Sequence, residues 1–301
     1  MPAPLFQVDP LVTFGQALVN GLAFGSIYAL AALSLVLIFK ASDVVNFANG
    51  EMAMFSAFIS FVFLDTLNMP YWVAFLGALA FAALLGAGTE VVLIRPLRNA
   101  GPLNQVMVTI GLGTLLTGLA GWIWNFEGHS FPDPIKGAPL RAGSIIIKQA
   151  DLLRMGVAVG IALLLFLFFR YTLVGTALRG MAQNPTAARL MGVNVGRMTT
   201  LTWAMATMLG AIAGMLIAPS TFLEPLMMAD VAVKAFAAAV LGGFTSLPGA
   251  VVGGLALGIV DNMVGTYLSQ DLRSTFAFAI IIGVLVIRPN GLLGRTVKKK
   301  V

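Results

Sequence analysis

Few side chains in this 301-residue sequence can do chemistry, and they fall into three groups. The first is Asp43, Asn46, Asn49 and Glu51 in "KASDVVNFANGEMAM". Polar groups packed this densely beside apolar sequence can line a watery route or hold interrupted backbone, because within a bilayer they must face protein or water. The second is Lys234 and Asp261, isolated ionisable residues inside apolar runs. The third is "TALRGMAQNPTAARLMGVNVGRM", residues 176–198, which carries Arg179, Arg189 and Arg197 and no acidic residue. None of these groups is a covalent catalyst. The chain has no cysteine, which excludes disulfides, thiolate nucleophiles and thiolate-bound zinc. Its single histidine, His129, lies in "NFEGHSFPDP" and reads as a solvated loop residue rather than a metal ligand. Ser34, Ser56 and Ser220 have no histidine at a triad-like position, and neither a GxxxxGK[ST] phosphate loop nor an HExxH motif is present. No catalytic residue, metal or cofactor is therefore expected.

The elements that position these groups are membrane helices. The sequence is 59% hydrophobic and 10% charged, with a mean hydropathy of +0.95. A soluble domain is nearer half apolar and a quarter charged. Many runs approach or exceed the ~20 residues that cross a bilayer as a helix. Runs such as "GVAVGIALLLFLFF" lack the alternation of barrel strands. The expected fold is an all-α polytopic helical bundle of about 8–10 transmembrane segments.

The apolar segments read as 11–39, 44–64, 71–94, 103–124, 152–169, 199–218, 231–241, 250–264 and 275–287. The first is long enough for one tilted helix or a broken pair, and the seventh is too short to span alone. Arg95 and Arg98, the arginines of residues 170–198, and Arg288, Arg295 and Lys298–Lys300 have few acidic neighbours, which makes these connections and the C-terminus cytoplasmic. Residues 125–151 mix both signs of charge and read as an external loop. Nine segments put the N-terminus outside; ten would put it inside. "MPAPLFQVDP" has no basic n-region and is not expected to be a signal peptide.

Two stretches break the pattern: residues 40–54, and "AVLGGFTSLPGAVVGG" at 239–254. Both read as broken or re-entrant elements, one in each half, as in membrane proteins built from two related halves. Glycines four apart (Gly21 and Gly25, Gly210 and Gly214, Gly249 and Gly253, Gly254 and Gly258) predict close helix contacts. Asp261 shares a face with Gly254, Gly258 and Gly265 and should point into protein.

Within the basic stretch, "QNPTAARLMG" specifies a short helix at both ends. Asn184 is a good N-cap, Pro185 suits the first helical position, and Gly192 can adopt the left-handed conformation that ends a helix. So short a helix is unstable alone in water and needs a partner surface, either its own bundle or another protein.

Taken together, "GTALRGMAQNPTAARLMGVNVGRM", "VNFANGEMAM" and "AVLGGFTSLPGAVVGG" resemble the branched-chain amino acid ABC transporter permease family, in family order and over nearly the whole chain. The resemblance implies a single permease domain over 1–301. Its cytoplasmic loop, 170–198, carries a coupling helix that docks on an ATPase through Arg179, Gln183, Asn184, Pro185, Arg189, Leu190 and Gly192. It implies an inner-membrane location and four kinds of partner: the bilayer, a homologous second permease, two cytoplasmic ATP-binding subunits and an external solute-binding protein. Nucleic acid is not among them. Asn46, Asn49, Glu51 and Asp261 become candidates for the translocation path. Asn49 stands where relatives often carry histidine. The implied function is alternating-access import of branched-chain amino acids, with ATP hydrolysed by another subunit. Two other readings fit the residues: the same machine for urea, a short amide, a sugar or a nucleoside, and an ion-coupled carrier using Glu51, Lys234 or Asp261. Those three groups look scattered, with no anion and cation at helical spacing. The path is therefore expected to hold free substrate weakly, leaving specificity to the binding protein.

Overall fold

A computed structural model describes residues 9–98, 100–135, 137–288 and 290–294. The described chain is an all-α polytopic membrane protein. The first apolar run is one continuous helix, α1 (Pro10–Ser42), of 33 residues. Asp9 caps it by accepting the Leu11 N–H at 3.0 Å, and Pro10 occupies its first turn. At 1.5 Å per residue it is ~50 Å long, more than the ~30 Å hydrocarbon core requires. It stops at Asp43, which is left-handed at φ 53°.

The chain then turns back through irregular residues 44–48 before α2 (Asn49–Phe61), which continues in π-helical turns over Val62–Thr66. Next come α3 (Tyr71–Gly88), extended in wider and then tighter turns to Leu97, and α4 (Pro102–Trp124). The following loop holds an antiparallel hairpin of β1 (Leu140–Ala142) and β2 (Ile145–Ile147). The remaining helices are α5 (Gln149–Tyr171), α6 (Leu173–Gln183), α7 (Pro185–Leu190), α8 (Val195–Thr221), α9 (Ala229–Gly242), α10 (Leu247–Tyr267) and α11 (Leu272–Ile287). Among the described residues, six helices (α1, α3 with its extension, α4, α5, α8 and α10) are long and apolar enough to cross a membrane, and α11 is a shorter apolar helix.

The two faces of the bundle differ. The β-hairpin lies beside the start of α1, where the Gln16 amide donates to the Ile146 carbonyl at 2.9 Å. The opposite face gathers the end of α1, the connections around α6 and α7, and the final segment. There Phe39 packs on Phe244 at 5.1 Å, and the N–H groups of Leu292 and Leu293 donate to Leu241 and Gly242. Residues 10 and 290 are thus on opposite faces, as a count of nine segments requires. Arg95, Arg98 and Arg179 share the second, basic face.

Two half-length helices interrupt the bundle. Gly50, in the first turn of α2, lies against Met228 and Ala232 at the start of α9. From that shared level α2 runs to the hairpin face, where Phe58 stacks on Trp124 at 4.6 Å. Helix α9 runs the other way and ends at Gly243 on the basic face. The packing repeats with inverted direction: α1 lies on α10 as α8 lies on α3, and α2 joins α3 and α4 as α9 joins α10 and α11. The bundle is therefore two related halves, α1–α4 and α8–α11, of opposite orientation. The expected break in the first half falls at 44–48. In the second half the chain is broken twice, at 222–228 before α9 and at 243–246 before α10; the first of these has no glycine or proline cluster to announce it.

The glycine pairs sit at the tightest seams. A Cβ on Gly21 would come within 2.8 Å of the Ile259 backbone, and one on Gly25 within 3.0 Å of the Gly254 carbonyl. Gly214 is equally close to the Ala53 carbonyl, at 2.8 Å. Asp261 is buried on the α10 face that meets α1, as its spacing indicated. His129 departs from its reading as a solvated loop residue. Its backbone exchanges hydrogen bonds with Leu223, its ring nitrogen lies 2.9 Å from the Trp124 carbonyl, and Phe61 packs on the ring at 5.3 Å. It closes the loop after α4 onto the loop after α8.

Candidate functional site

The polar residues of the first group separate once folded. Asn46 is fully buried, and its Oδ1 accepts the Ala48 N–H at 3.0 Å, which shapes the turn entering α2. Asn49 is also buried, and its Oδ1 is 2.6 Å from Ser34 Oγ on α1. The same hydroxyl is 2.6 Å from the Ala206 carbonyl on α8. With one proton to give, Ser34 shares it between the two, and α1, α2 and α8 are joined at one point. Asn46 and Asn49 thus hold the interrupted backbone and turn away from any opening.

Glu51 does the opposite. It lies in the first turn of α2 and borders a groove of about 540 Å³ between α2 and α4. Phe47, Ile110, Thr114, Thr117 and Phe126 share the lining. Gly113 lies against the carboxylate, 3.3 Å separating an added Cβ from Oε2. Gly113 is midway along the 23-residue α4, so the groove opens at mid-membrane depth. The α4 residues of this groove were not singled out in the sequence, and no pattern in "IGLGTLLTG" distinguishes them from a lipid-facing run.

Asp261 belongs to a different cluster. Its carboxylate meets Lys234 Nζ at 3.0 Å, the Arg273 guanidinium at 2.9 Å and the Tyr28 hydroxyl at 3.2 Å. Lys234 also binds Asp230 at 2.6 Å, and Ser274 donates to Asp230 at 2.9 Å. The reading of Lys234 and Asp261 as scattered charges is thus corrected: α9, α10 and α11 bring them into contact. One local signal was present, the acid-to-base i,i+4 pair Asp230–Lys234. Two more ion-pair sites pin the bundle. Glu90 is fully buried and takes Arg95 and Arg98, each at 2.7 Å, while Thr200 ties the group to α8. Arg154 binds Asp151 at 2.7 Å and donates to the Leu216 carbonyl, fastening α5 to α8.

On the basic face, α7 has the predicted geometry. The Asn184 side chain accepts the Ala187 N–H at 2.9 Å, and Pro185 opens the helix. Gly192 has φ +85°, and the Val193 N–H returns to the Ala188 carbonyl at 3.0 Å. Ala188 anchors α7 in a small cluster with Leu178, Met181 and Val195. The other side faces outward: Arg179, Gln183, Asn184, Pro185, Arg189 and Gly192 are exposed, as are Leu190 at 85% and Met191 at 84%. Two apolar side chains this open, beside an arginine, form a surface suited to a protein partner.

Over residues 17–285, from α1 to α11, the chain matches the family described as branched-chain amino acid transport system, permease component. It is 32% identical over 307 aligned positions to the high-affinity branched-chain amino acid transport system permease protein LivH of Escherichia coli (strain K12), covering 97% of this chain and 99% of that one. The corresponding protein BraD of Pseudomonas aeruginosa is 29% identical over 299 positions, covering 95% and 97%. Among solved structures, PsaBC from Streptococcus pneumoniae in complex with Fab is similar with a TM-score of 0.48 and 16% identity, covering 92% of each chain. The family match over residues 17–285 and 32% identity over 97% of the chain show one assignment: the chain belongs to the family of branched-chain amino acid transport permease components.

Proposed function

We propose that this chain is one of two permease subunits in an ATP-driven importer of branched-chain amino acids, and that the groove beside Glu51 is its half of the translocation path. The observation that carries the reading is the groove itself, an ionisable side chain on an open surface at mid-membrane depth. A carboxylate facing hydrocarbon is costly, so protein and water must cover it. A second, homologous permease laid across α4 supplies that cover and closes two grooves into one route. The route lies where two half-helices begin, the usual position of a path between inverted halves.

The basic face is cytoplasmic in this reading, since it carries the arginines, and the hairpin face meets an external binding protein. Helix α7 docks on a cytoplasmic ATPase through Leu190, Met191 and Arg189. The permease breaks no covalent bond; closure of the ATPases pulls α7 and rocks the two permeases about the path. The ion pairs support this reading over an ion-coupled carrier, because Lys234, Asp230, Asp261 and Arg273 satisfy one another. Gentle purification of the tagged chain tests the proposal. It should bring down a second permease and two ATPase chains, and Arg189→Glu should insert normally but lose coupling. A chain that purifies alone and accumulates leucine on an ion gradient would overturn it.

A further inference from the structure

Among the described residues, the carboxylates buried within the bundle are matched by cations. Glu90 has Arg95 and Arg98, Asp151 has Arg154, and Asp261 has Lys234 and Arg273. Glu51 is the exception: its Oε2 is buried with no hydrogen-bond partner, and none of these ion pairs includes it. The inverted halves sharpen the contrast. Each half-helix carries one acidic residue in its first turn, Glu51 in α2 and Asp230 in α9. Asp230 is bound by Lys234 and Ser274, whereas Glu51 is half-buried at the border of the groove, its Oε2 enclosed against Gly113 with no cation beside it. An anion enclosed on one side and left unpaired is costly, and among the described residues no cation pairs with Glu51, so a cation from outside the chain suits it.

The lining says what kind of cation. A divalent ion takes six or more oxygens in close geometry, and one carboxylate among Phe47, Ile110 and Phe126 does not provide them. A primary ammonium on an apolar body fits. Thr114 donates its proton to the Ile110 carbonyl at 3.1 Å, which leaves its hydroxyl lone pairs free to accept. Gly113 brings the α4 backbone close to the carboxylate, where an added Cβ would come within 3.3 Å of Oε2. We infer that Glu51 receives the α-ammonium group of the amino acid in transit, with Thr114 accepting a second ammonium proton and the substrate's apolar side chain lying along Phe47, Ile110 and Phe126. The groove lining includes no lysine or arginine for the substrate carboxylate. The contact is one-ended, strong enough to select a cationic head and weak enough to release it. The ligand's identity rests on the proposed import of branched-chain amino acids; the groove's preference for cations does not.

The cysteine-free chain allows a direct test. Thr114→Cys places a thiol beside Glu51 in the importer assembled from otherwise cysteine-free subunits in nanodiscs, with Thr117→Cys as the second position. Labelling rates are compared for methanethiosulfonates bearing an ammonium, a neutral and a sulfonate group, each normalised to its rate with a free thiol. The ammonium reagent should react roughly tenfold faster than the sulfonate, and Glu51→Gln should abolish that preference. Millimolar L-leucine should slow labelling with Glu51 and not with Gln. Equal rates for the two charged reagents, or a preference that survives Glu51→Gln, would overturn the role of Glu51. Cation preference without protection by leucine would overturn the amino acid as its ligand. ATP-driven leucine uptake measured on the importer carrying the parent, cysteine-free chain separates the two readings: uptake without cation preference in the labelled variants sinks this inference alone, and cation preference without uptake by the parent sinks the import reading alone.

Discussion

Gly192→Val is the substitution that isolates the geometry of α7. Gly192 has φ +85°, and an added Cβ would have nothing within 4 Å. The change therefore causes no clash, and its whole cost is the left-handed backbone, about 1–2 kcal/mol for an L-residue. At 1.4 kcal/mol per tenfold, that lowers the population of correctly terminated helix about 5–30-fold. A helix of six residues has little to offset it. Its anchors are the buried Ala188 and the return bond from Val193. Asn tolerates the left-handed region far better, so Gly192→Asn is the matched control. Two readouts are needed: ATP hydrolysed per leucine imported in proteoliposomes, and hydrogen exchange at the Val193 amide. With Val the exchange should accelerate by that factor and the ATP cost of import should rise, while Asn stays near the parent. Identical coupling for Val and Asn, with both importers fully assembled, would refute the claim that α7 must be terminated this way to transmit force.

Other outcomes follow from the packing and the charges. Gly258→Leu overfills the seam where α10 touches Gly21 and Gly25; a cost of at least ~1–3 kcal/mol should lower the thermal midpoint in detergent. Lys234→Met leaves the buried Asp261 with Arg273 and the Tyr28 hydroxyl, and Asp230 with Ser274. Losing one partner of a buried pair costs about 3–5 kcal/mol, and the same melt should show it, with partial recovery when Asp261→Asn is added. Titration calorimetry of the complex with leucine, in the absence of binding protein, should give no stoichiometric binding near a Kd of roughly micromolar; such binding would mean the path holds substrate at more than one end.

The parts of this molecule readable in the sequence are those written in local spacing. Hydrophobic runs set the helices, and Asn184, Pro185 and Gly192 specified α7 from both ends. Glycines four apart marked the α1–α10 seam, and Asp261 on the same face pointed inward as expected. What stayed hidden depends on distant segments meeting. Asp261 lies 27 positions from Lys234 along the chain, and only the return of α9 against α10 unites them. The inverted halves share packing without visible sequence likeness, because apolar helix contacts accept many side chains. Asn46, Asn49 and Glu51 looked alike in a polar cluster. The break before α2 turns two of them inward and one outward, a distinction that no spacing encodes.

The most direct test of the central claim is uptake of radiolabelled L-leucine by proteoliposomes containing this chain, its partner permease and the ATPases, supplied with the external binding protein. Leucine should accumulate against a gradient in a way that requires ATP and the binding protein, persists when ion gradients are collapsed, and disappears when this chain is omitted. Accumulation driven by an ion gradient without ATP, or undiminished in the absence of this chain, would contradict it.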